Sequence, residues 1–488
     1  MKKLLILLAI PVISLGINVG YYFRSSNLIL KISGNDESYT VKVASETYTS
    51  TETVVIPWEK GMVRDVVIVG NKSGEKERVK IEGVHDSPPH ICLDMPKSIG
   101  YNEVNVNLKV WDDWDKPDDI NLQCFLDGAT SVCYEIDPIF LDKGQHIFEV
   151  RATDSFGNIS IKSKVFAFDP TIPKIPKMSS KSPGIVIFPE SPTLRFIMPS
   201  LGVQKKVSAL KLDQGYILQP VNESGNMGKV FVIPPLPSGL TPLPGRAITS
   251  VSGNFILLGS EKYSVVGKVL LPYKKTIAMS ENSQIDIPVG SSFIIKGILQ
   301  NLSKNTTIFG EGGIILTEGG EIYLSNMDFK THLSANGGKI LYLNNVRAPN
   351  TLKIVGTNYV VLNKVNLKKL ICKNCYGVYL SNLNVDDIVL SDDSEIVLDS
   401  VTATNVSVSS FSWITLKNSS VSSISIDTLS RLDAYNSAIG NIFSDKGSFI
   451  RIRECKLRSA DLKWFSKMEY HNCEVGKISS ESSEVLGR

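Results

Sequence analysis

The amino-acid sequence predicts an all-β protein, and three observations lead to this fold class. Beyond the apolar run at the N-terminus, no segment has sustained helical periodicity. Short alternating runs rich in Val, Ile, Thr and Tyr recur, separated by Gly, Pro, Asn and Asp, which is typical of strands and turns. The last third of the chain repeats with a short, nearly constant period. We predict an N-terminal membrane helix, tandem β-sandwich domains and a C-terminal single-stranded parallel β-helix.

Composition limits the classes of function. The chain has 488 residues, which suggests about three domains at roughly 150 residues each. Apolar residues make up 42% and charged residues 21%, as in globular proteins. A net charge of +3 without a basic face argues against a nucleic-acid partner. The five histidines lack metal-ligand spacing, and no HExxH, GxSxG or Walker motif occurs, so most common enzyme classes are disfavoured.

The N-terminus predicts export. Two lysines precede an apolar run from Leu4 to Phe23, long enough to span a bilayer as a helix. We expect residues 1–26 to anchor the chain in the membrane. A cleaved signal peptide, with the small residues Ser14 and Gly16 before the cut, is the alternative. Both interpretations place the bulk of the chain outside the cytoplasm, at the cell surface.

Strand patterns and proline-rich stretches divide the remaining chain into consecutive segments. The expected organisation is a β-sandwich at 27–85, a second sandwich at 86–169, a Pro-rich linker at 170–182, a β-rich domain of unassigned fold at 183–280, the β-helix at 281–480 and a tail at 481–488.

The second sandwich contains the run CFLDGATSVCYEIDPIFLDKGQHIFEVRATDSFGN, in which Cys124 and Cys133 flank a turn. A disulfide is the expected use of such a pair in an oxidising compartment. The run resembles the extracellular immunoglobulin-like repeats of prokaryotic surface proteins. This resemblance covers about residues 91–169 and implies a seven-stranded sandwich with a Cys124–Cys133 bridge, serving as a spacer or contact module. The matching positions are Cys124, Leu126, Asp127, Gly128, Cys133, Leu141, Gly144, His146, Phe148, Val150, Ala152, Asp154, Gly157 and Asn158.

The other cysteines have no clear chemical role. Cys372 and Cys375 have metal-like spacing but lack a second ligand pair, which leaves core thiols or a short disulfide as interpretations. Cys455 and Cys473 lie one repeat apart and are expected to be buried thiols.

Two acidic clusters are candidate calcium sites, because Ca²⁺ takes several carboxylate oxygens. Neither has the spacing of a calcium loop, so solvated acidic loops are the favoured interpretation, and calcium is the only cofactor that the sequence suggests. The candidates are Asp112, Asp113 and Asp115 in one cluster and Asp386, Asp387, Asp392 and Asp393 in the other.

The C-terminal repeat predicts a solenoid. One apolar position recurs at steps of 19, 19 and then 18, at Leu324, Leu343, Leu362, Leu380, Leu398, Leu416, Ala434, Ile452 and Tyr470. Within one coil the apolar residues form three pairs at i and i+2, and each pair marks one face of a strand. Three short inward-facing strands per coil make a parallel β-helix.

Asparagine recurs two positions after this apolar residue, and it tolerates the left-handed backbone of a tight bend. These residues are Asn326, Asn345, Asn382, Asn418, Asn436 and Asn472. The pattern resembles the asparagine ladder of right-handed, pectate-lyase-like β-helices, although coils of this length are short for that family. A left-handed hexapeptide helix also closes its coil at this length, but its regular hexamer is missing, so we favour the right-handed form.

The resemblance implies where an active site would lie. Pectate-lyase-like enzymes use carboxylates on the outer face of one sheet. The corresponding column here contains Asp433, Arg451 and Glu469, which are weak catalytic candidates. Because an arginine separates the two carboxylates, a stabilising cross-strand ladder is the favoured interpretation.

Three tyrosines in the same outward column are the candidate binding surface. Exposed rings of Tyr323, Tyr342 and Tyr379 would stack on sugars. The favoured interpretation is nevertheless that tyrosine simply suits strands and covers its neighbours.

Seven sequons are usable as glycosylation sites if the host glycosylates exported proteins. They begin at Asn71, Asn158, Asn222, Asn301, Asn305, Asn405 and Asn418.

These patterns predict a membrane-anchored surface protein that acts in adhesion or as a structural component of a cell envelope or filament. Its expected partners are the membrane and carbohydrate or other surface proteins, and homo-oligomers are compatible with the sequence. The alternative is a polysaccharide lyase or glycoside hydrolase with a β-helix catalytic domain. A deep groove along the tyrosine face would favour the enzyme, and a flat face would favour the binding protein.

Overall fold

The all-β class is confirmed. A computed structural model describes residues 16–24, 27–58, 64–81, 87–101, 103–112, 115–155, 157–182, 185–187, 195–198, 203–205, 209–236, 238–348 and 350–487. The chain forms two compact units, Met1–Asp169 and Pro170–Arg488.

No helix within these described residues is both long and apolar enough to cross a membrane.

The first sandwich packs two antiparallel sheets, ordered β1-β2-β5 and β4-β3-β6-β7. Its core includes Leu28, Leu30, Val41, Ile56 and Ile68, which alternate with outward residues along their strands. The strands are β1 (Ile17–Arg24), β2 (Asn27–Gly34), β3 (Tyr39–Val43), β4 (Glu46–Ser50), β5 (Thr53–Pro57), β6 (Arg64–Gly70) and β7 (Lys76–Ile81).

Strand β1 corrects the predicted membrane helix. The predicted helix ran to Phe23, but Ile17–Arg24 forms an antiparallel pair with β2. Ile17 is buried, and Val19 and Tyr21 pack partly against the same core. This spacing of two is the period of a strand, so burial in the sandwich determines the local structure here. The rest of the predicted anchor, residues 1–15, lies outside the described residues.

The second sandwich contains a five-stranded sheet, β13-β12-β15-β16-β9, and the pairs β8–β11 and β10–β14. The predicted Cys124–Cys133 disulfide is confirmed, with the two Cα atoms 5.2 Å apart. Short 3₁₀ turns lie at Pro117–Asp119 and Pro138–Phe140. The strands are β8 (His90–Asp94), β9 (Ser98–Ile99), β10 (Val104–Asn105), β11 (Asn107–Trp111), β12 (Asn121–Leu126), β13 (Ala129–Ser131), β14 (Glu135–Ile136), β15 (Gly144–Thr153) and β16 (Ile159–Phe168).

The motif residues of this sandwich brace its turns. Asp127 and Gly128 have positive φ angles of 50° and 83°, as a two-residue hairpin requires. The Asp127 carboxylate accepts a bond from the Ile147 backbone and lies 2.6 Å from Nδ1 of His146. The motif residues that carry the resemblance to immunoglobulin-like repeats therefore fix the geometry of the turn.

The second unit begins with short antiparallel strands. They form two sheets, β17-β18-β21 and β20-β19-β22-β23. The strands are β17 (Ser179–Ser182), β18 (Ile185–Ile187), β19 (Arg195–Met198), β20 (Val203–Lys205), β21 (Ala209–Lys211), β22 (Tyr216–Val221) and β23 (Phe231–Ile233).

A parallel β-solenoid makes up the rest of this unit. Parallel pairing starts at Thr241 with Ile256, ahead of the expected boundary at residue 281, and continues to Gly487. The first strands are β24 (Thr241–Pro242), β25 (Ala247–Ile248), β26 (Phe255–Leu258), β27 (Lys262–Val265), β28 (Lys268–Leu271), β29 (Thr276–Met279), β30 (Gln284–Asp286), β31 (Ser292–Ile295), β32 (Ile298–Asn301), β33 (Thr307–Thr317), β34 (Glu321–Asn336), β35 (Ile340–Arg347) and β36 (Thr351–Val355).

The later coils continue the same ladder, with each strand pairing with the strand two further on. The strands are β37 (Tyr359–Asn363), β38 (Lys369–Lys373), β39 (Gly377–Ser381), β40 (Asn384–Ser391), β41 (Glu395–Asp399), β42 (Thr402–Val408), β43 (Trp413–Lys417), β44 (Ser420–Ile426), β45 (Arg431–Tyr435), β46 (Ala438–Ser444), β47 (Phe449–Arg453), β48 (Lys456–Lys463), β49 (Lys467–His471), β50 (Glu474–Glu481) and β51 (Glu484–Gly487).

The number of strands per coil differs from the prediction in these later coils. The second and third predicted strands fuse into one bent strand, such as β42. Ala403 and Val406 of this strand both face the core, while Thr404 and Asn405 between them both face solvent. Two successive outward residues bend the strand, so a corner forms without a separate turn.

The predicted asparagine ladder is present at one corner. The six predicted asparagines have φ angles between 46° and 52°. Nδ2 of Asn345 donates to Asn326 at 2.9 Å, and Nδ2 of Asn436 donates to Asn418 at 2.8 Å. In these two pairs the amide therefore supports a left-handed bend and also bonds to the coil before it.

Substitution of Asn436 separates the contribution of the left-handed bend to stability from that of the side-chain hydrogen bond. We expect Asn436→Val to lower the free energy of unfolding by about 2 kcal/mol, because a β-branched residue is strained at positive φ and the side-chain bond is lost. Asn436→Gly should lower the free energy of unfolding by less than half of this amount, because glycine adopts the left-handed backbone freely. Denaturant unfolding monitored by circular dichroism measures both values, and equal losses would show that φ is not the constraint.

Candidate functional site

The charged column lies on the solenoid sheet formed by β45, β47 and β49. Asp433 pairs in register with Arg451, and Arg451 with Glu469. The side chains point away from the solenoid core, but their exposed fractions are only 2%, 5% and 7%. The column therefore faces outward but is covered, as the favoured interpretation of a stabilising ladder allows.

Cations and aromatic rings surround this column. Nε of Arg431 lies 2.8 Å from Asp433, and Nε1 of Trp413 donates to the same oxygen at 2.8 Å. Arg431 also stacks over the rings of Trp413 and Phe449, with its guanidinium carbon 4.7 Å and 5.4 Å from the ring centroids. These long side chains cover the carboxylate by packing along the strands.

The second carboxylate is held in the same way. Glu469 lies 3.4 Å from Nε of Arg451 and 2.8 Å from Nζ of Lys467. Both cations also lie 5.8 Å from the centroid of the Phe449 ring. The two acids are thus separate members of an ion-pair ladder, with the Arg451 side chain between them where a substrate would have to bind.

Burial controls the acid–base behaviour of the column. Desolvation raises the pKa of Asp433, and the nearby Arg431 guanidinium opposes this shift. A hydrogen bond to Glu469 raises the pKa of Lys467. A buried acid between fixed cations is suited to holding adjacent coils together, and it is poorly placed to exchange protons with a bound polymer.

The tyrosine stripe is covered, so the exposed sugar platform is not formed. Tyr323 is 1% exposed, and its hydroxyl donates to Glu321 at 2.7 Å. Tyr342 and Tyr379 are partly buried in the same cluster. Burial raises the pKa of Tyr342 and of Tyr379 to about 12.

The cover is a hairpin of the same chain, β22–β23. Ile217 and Val232 of this hairpin pack with Tyr323 in one apolar cluster. A Cβ at Gly215 would overlap the Tyr323 hydroxyl, which shows how closely the backbone approaches the ring. Farther along, Nζ of Lys229 lies 3.5 Å from Asp399.

Neither acidic cluster converges as a set of ligands. The structure brings no group of three His, Cys, Asp or Glu side chains into metal-binding range within the described residues. Asp115 is 2% exposed, and both of its carboxylate oxygens accept bonds from Ser155. Asp113 lies outside the described residues.

The second acidic cluster is spread along one coil. Asp386 and Asp387 lie near the start of β40, and Asp387 accepts a bond from Asn405 at 3.0 Å. Asp392 and Asp393 follow the end of this strand, where Asp392 pairs with Lys373 at 2.8 Å.

The solenoid cysteines are thiols. Cys372, Cys375 and Cys455 are buried, and Cys473 is partly buried. A hydrogen bond from Cys455 lowers the pKa of Cys473 to about 7. The sequence left core thiols or a short disulfide as interpretations of Cys372 and Cys375, and the structure has core thiols there.

The predicted sequons differ in how their amides are used. Asn305 is exposed, with a φ of 61°. The side chains of the other six, Asn71, Asn158, Asn222, Asn301, Asn405 and Asn418, donate hydrogen bonds within the protein.

A shallow open groove of about 760 Å³ runs along the bent strands on another face. Its lining combines small residues such as Ser420 and Ala438 with the charged residues Lys456, Arg458 and Glu474. A Cβ at Gly440 would overlap the backbone of Ser422, and a Cβ at Gly476 would overlap the backbone of Arg458. Close stacking of the coils therefore explains both glycines.

An exposed apolar corner was missed by sequence reasoning. We define the turn ridge as Phe411, Leu429, Phe443, Trp464 and Phe465, whose exposed fractions range from 49% to 79%. The signal was available, because Phe411, Leu429 and Phe465 occupy the same position of the sequence repeat.

No family model matches the chain, and no curated protein gives a significant match. Solved structures resemble parts of it weakly. Fibronectin(III)-like modules of Clostridium thermocellum CbhA are 12% identical over 30% of this chain and 87% of that chain, with a TM-score of 0.16. A 1.5-MDa bacterial ice-binding adhesin is 11% identical over 44% and 88%, with a TM-score of 0.17. Bacteroides ovatus SGBP-B, solved with a mixed-linkage heptasaccharide, is 11% identical over 42% and 60%, with a TM-score of 0.13. Similarities this weak carry no argument about this chain.

The ion-pair ladder is tested by removing one cation. We expect Arg431→Met to lower the free energy of unfolding by about 3 kcal/mol, because the buried Asp433 carboxylate loses its nearest cation. Adding Asp433→Asn should restore part of this loss, because the amide carries no charge. Denaturant unfolding of both variants measures the coupling, and purely additive losses would contradict the ladder.

The hairpin cover is tested at Gly215. We expect Gly215→Ala to loosen β22–β23 from the tyrosine face, because the added methyl overlaps Tyr323. Limited proteolysis should then cut the segment 209–236 faster than in the wild type. Combining the change with Tyr323→Phe should slow cutting again, because the overlapping hydroxyl is gone. Unchanged cutting in the single variant would contradict the cover.

Proposed function

We propose that this chain is an extracellular surface protein that acts in adhesion or as a structural component of a cell envelope or surface filament. The observation that carries the proposal is the unbroken parallel ladder from β24 to β51, in which each coil bonds to the next. Such a ladder holds its outer faces in fixed register. A fixed, repeating surface suits contact with extended targets such as carbohydrate or other surface proteins.

The buried ladders support a role in binding rather than cleavage. A polysaccharide-cleaving enzyme would need the candidate carboxylates open to its substrate. Asp433 and Glu469 instead lie buried beside Arg431 and Lys467. The tyrosine face, where a deep groove would have favoured an enzyme, is occupied by β22–β23.

Export is supported by the Cys124–Cys133 bridge, because disulfides persist in oxidising compartments. A cleaved signal peptide ending before Ile17 would leave strand β1 intact, whereas an anchor helix through Phe23 would not. We therefore propose the cleaved form. Asn305 is the proposed glycan acceptor in a glycosylating host, because its amide is exposed.

We also propose that residues 91–169 form an immunoglobulin-like module and that the solenoid is of the right-handed, pectate-lyase-like type. The turn bonds of Asp127 and His146 support the first, and the asparagine ladder supports the second. Homo-oligomers and filaments are compatible with the exposed solenoid faces.

A polysaccharide panel tests binding against cleavage. We expect the purified chain to be retained by at least one insoluble acidic or neutral polysaccharide without releasing reducing ends. Retention is measured by pull-down, and release by a reducing-sugar assay. Product release that is abolished in folded Asp433→Asn or Arg451→Met variants would contradict the proposal and assign a hydrolase or lyase.

A further inference from the structure

The turn ridge lies at a corner built from two successive residues with left-handed backbone. The φ angles are 55° and 62° at Ser410 and Phe411, and 51° and 62° at Trp464 and Phe465. The second residue of each turn donates its N–H to the first residue of the next coil's turn. These distances run from 2.8 to 3.0 Å for Asp393, Phe411, Leu429, Gly447 and Phe465.

The fold does not require large apolar residues at this corner. Asp393 and Gly447 make the same backbone bond as Phe411. A bulky side chain in the left-handed region costs about 1–2 kcal/mol, and exposed fractions of 60% for Phe411 and 79% for Phe465 mean that burial does not offset this cost. Strain without a folding benefit is typical of functional positions.

The ridge residues come from four consecutive coils. Cδ2 of Leu429 lies 2.9 Å from where a Cβ at Gly447 would be, so the leucine side chain leans across the coil that has no side chain there. Phe443, on the strand that leads into the Gly447 turn, is 49% exposed. The aromatic pair Trp464 and Phe465 follows in the next coil.

Both signs of charge flank the ridge. Nζ of Lys446 lies 3.4 Å from Asp427, and Nζ of Lys463 lies 3.8 Å from Asp461. The rim therefore pairs cations with anions, which complements headgroups that carry a phosphate and an amine together.

We propose that the turn ridge inserts into the interface of a zwitterionic lipid bilayer. Turn tips at a solenoid corner are convex, whereas pockets for small molecules are concave. Five side chains fall far short of the roughly 20–30 residues per side of a standard protein interface. Leu429 has no ring to stack on a sugar. Tryptophan, phenylalanine and leucine are the residues that enter the lipid headgroup and acyl boundary.

Flotation of the full chain with phosphatidylcholine vesicles tests this contact. The wild type should float with the vesicles, and 0.5 M NaCl should leave binding unchanged, since the ridge has no excess charge. Trp464→Ser with Phe465→Asp introduces residue types found at the same turn in other coils, Ser410 and Asp393. We expect the partition coefficient of this double variant into the vesicles to be at least tenfold lower than that of the wild type. The double variant should unfold at the same or a higher denaturant concentration.

Two further variants make the test specific. Tyr273→Ser removes an aromatic ring that is 67% exposed outside the ridge, and it should bind like the wild type. Brominated lipid should quench the tryptophan fluorescence of the wild type more than that of Trp464→Phe. This variant keeps an apolar ridge but lacks the indole that reports contact with the lipid. Absence of wild-type flotation, or equal flotation of the double variant, would overturn the proposal. Loss of self-association or of polysaccharide retention in the double variant, with lipid binding unchanged, would also overturn it.

Discussion

The closing of each coil in register with the one before it is the constraint on which the solenoid depends. So short a coil closes through two left-handed corners, as at Asn418 and Phe411, and one bend within a strand, as at Thr404 and Asn405. Once the corners are fixed, strand pairing, the apolar interior and the outer columns follow together, because every position stacks on its equivalent one coil away. This explains how asparagine ladders, serine bonds such as Ser394 to Ser412, and ion pairs can share one architecture.

This constraint also explains which features could be predicted. The repeat is local in sequence, so the interior positions, the asparagine corner and the stacking of Asp433 on Arg451 follow from residue spacing alone. Whether an outward side chain of the solenoid is buried, by contrast, depends on contacts between segments that are distant in sequence. Nothing near Tyr323 in sequence indicates that Ile217 and Val232 will lie against it, since the hairpin comes from a much earlier part of the chain. Strand β1 was missed for a related reason, because an apolar run is compatible with either a membrane or a sandwich core.

The outer surface of the solenoid separates into regions with different physical roles. The column of Asp433, Arg451 and Glu469 is buried and bonded, the tyrosine face is occupied by the chain itself, and the turn ridge is apolar and uncovered. The residue types most suggestive of chemistry in the sequence are therefore those with a structural role. Most of the exposed ridge residues, such as Phe411 and Phe465, lie at a corner.

The buried thiols have a consequence for how the chain matures. If the chain is exported as proposed, the Cys124–Cys133 bridge forms in the same molecule in which Cys372, Cys375, Cys455 and Cys473 are thiols. Thiol exchange needs an accessible thiolate, so enclosure by neighbouring coils protects Cys372, Cys375 and Cys455, whereas Cys473 is only partly buried and its pKa is lowered to about 7. Each coil contacts only its neighbours, so folding propagates from coil to coil. A buried thiol is enclosed only when the next coil docks on it, which makes the order of folding part of the chain's redox chemistry.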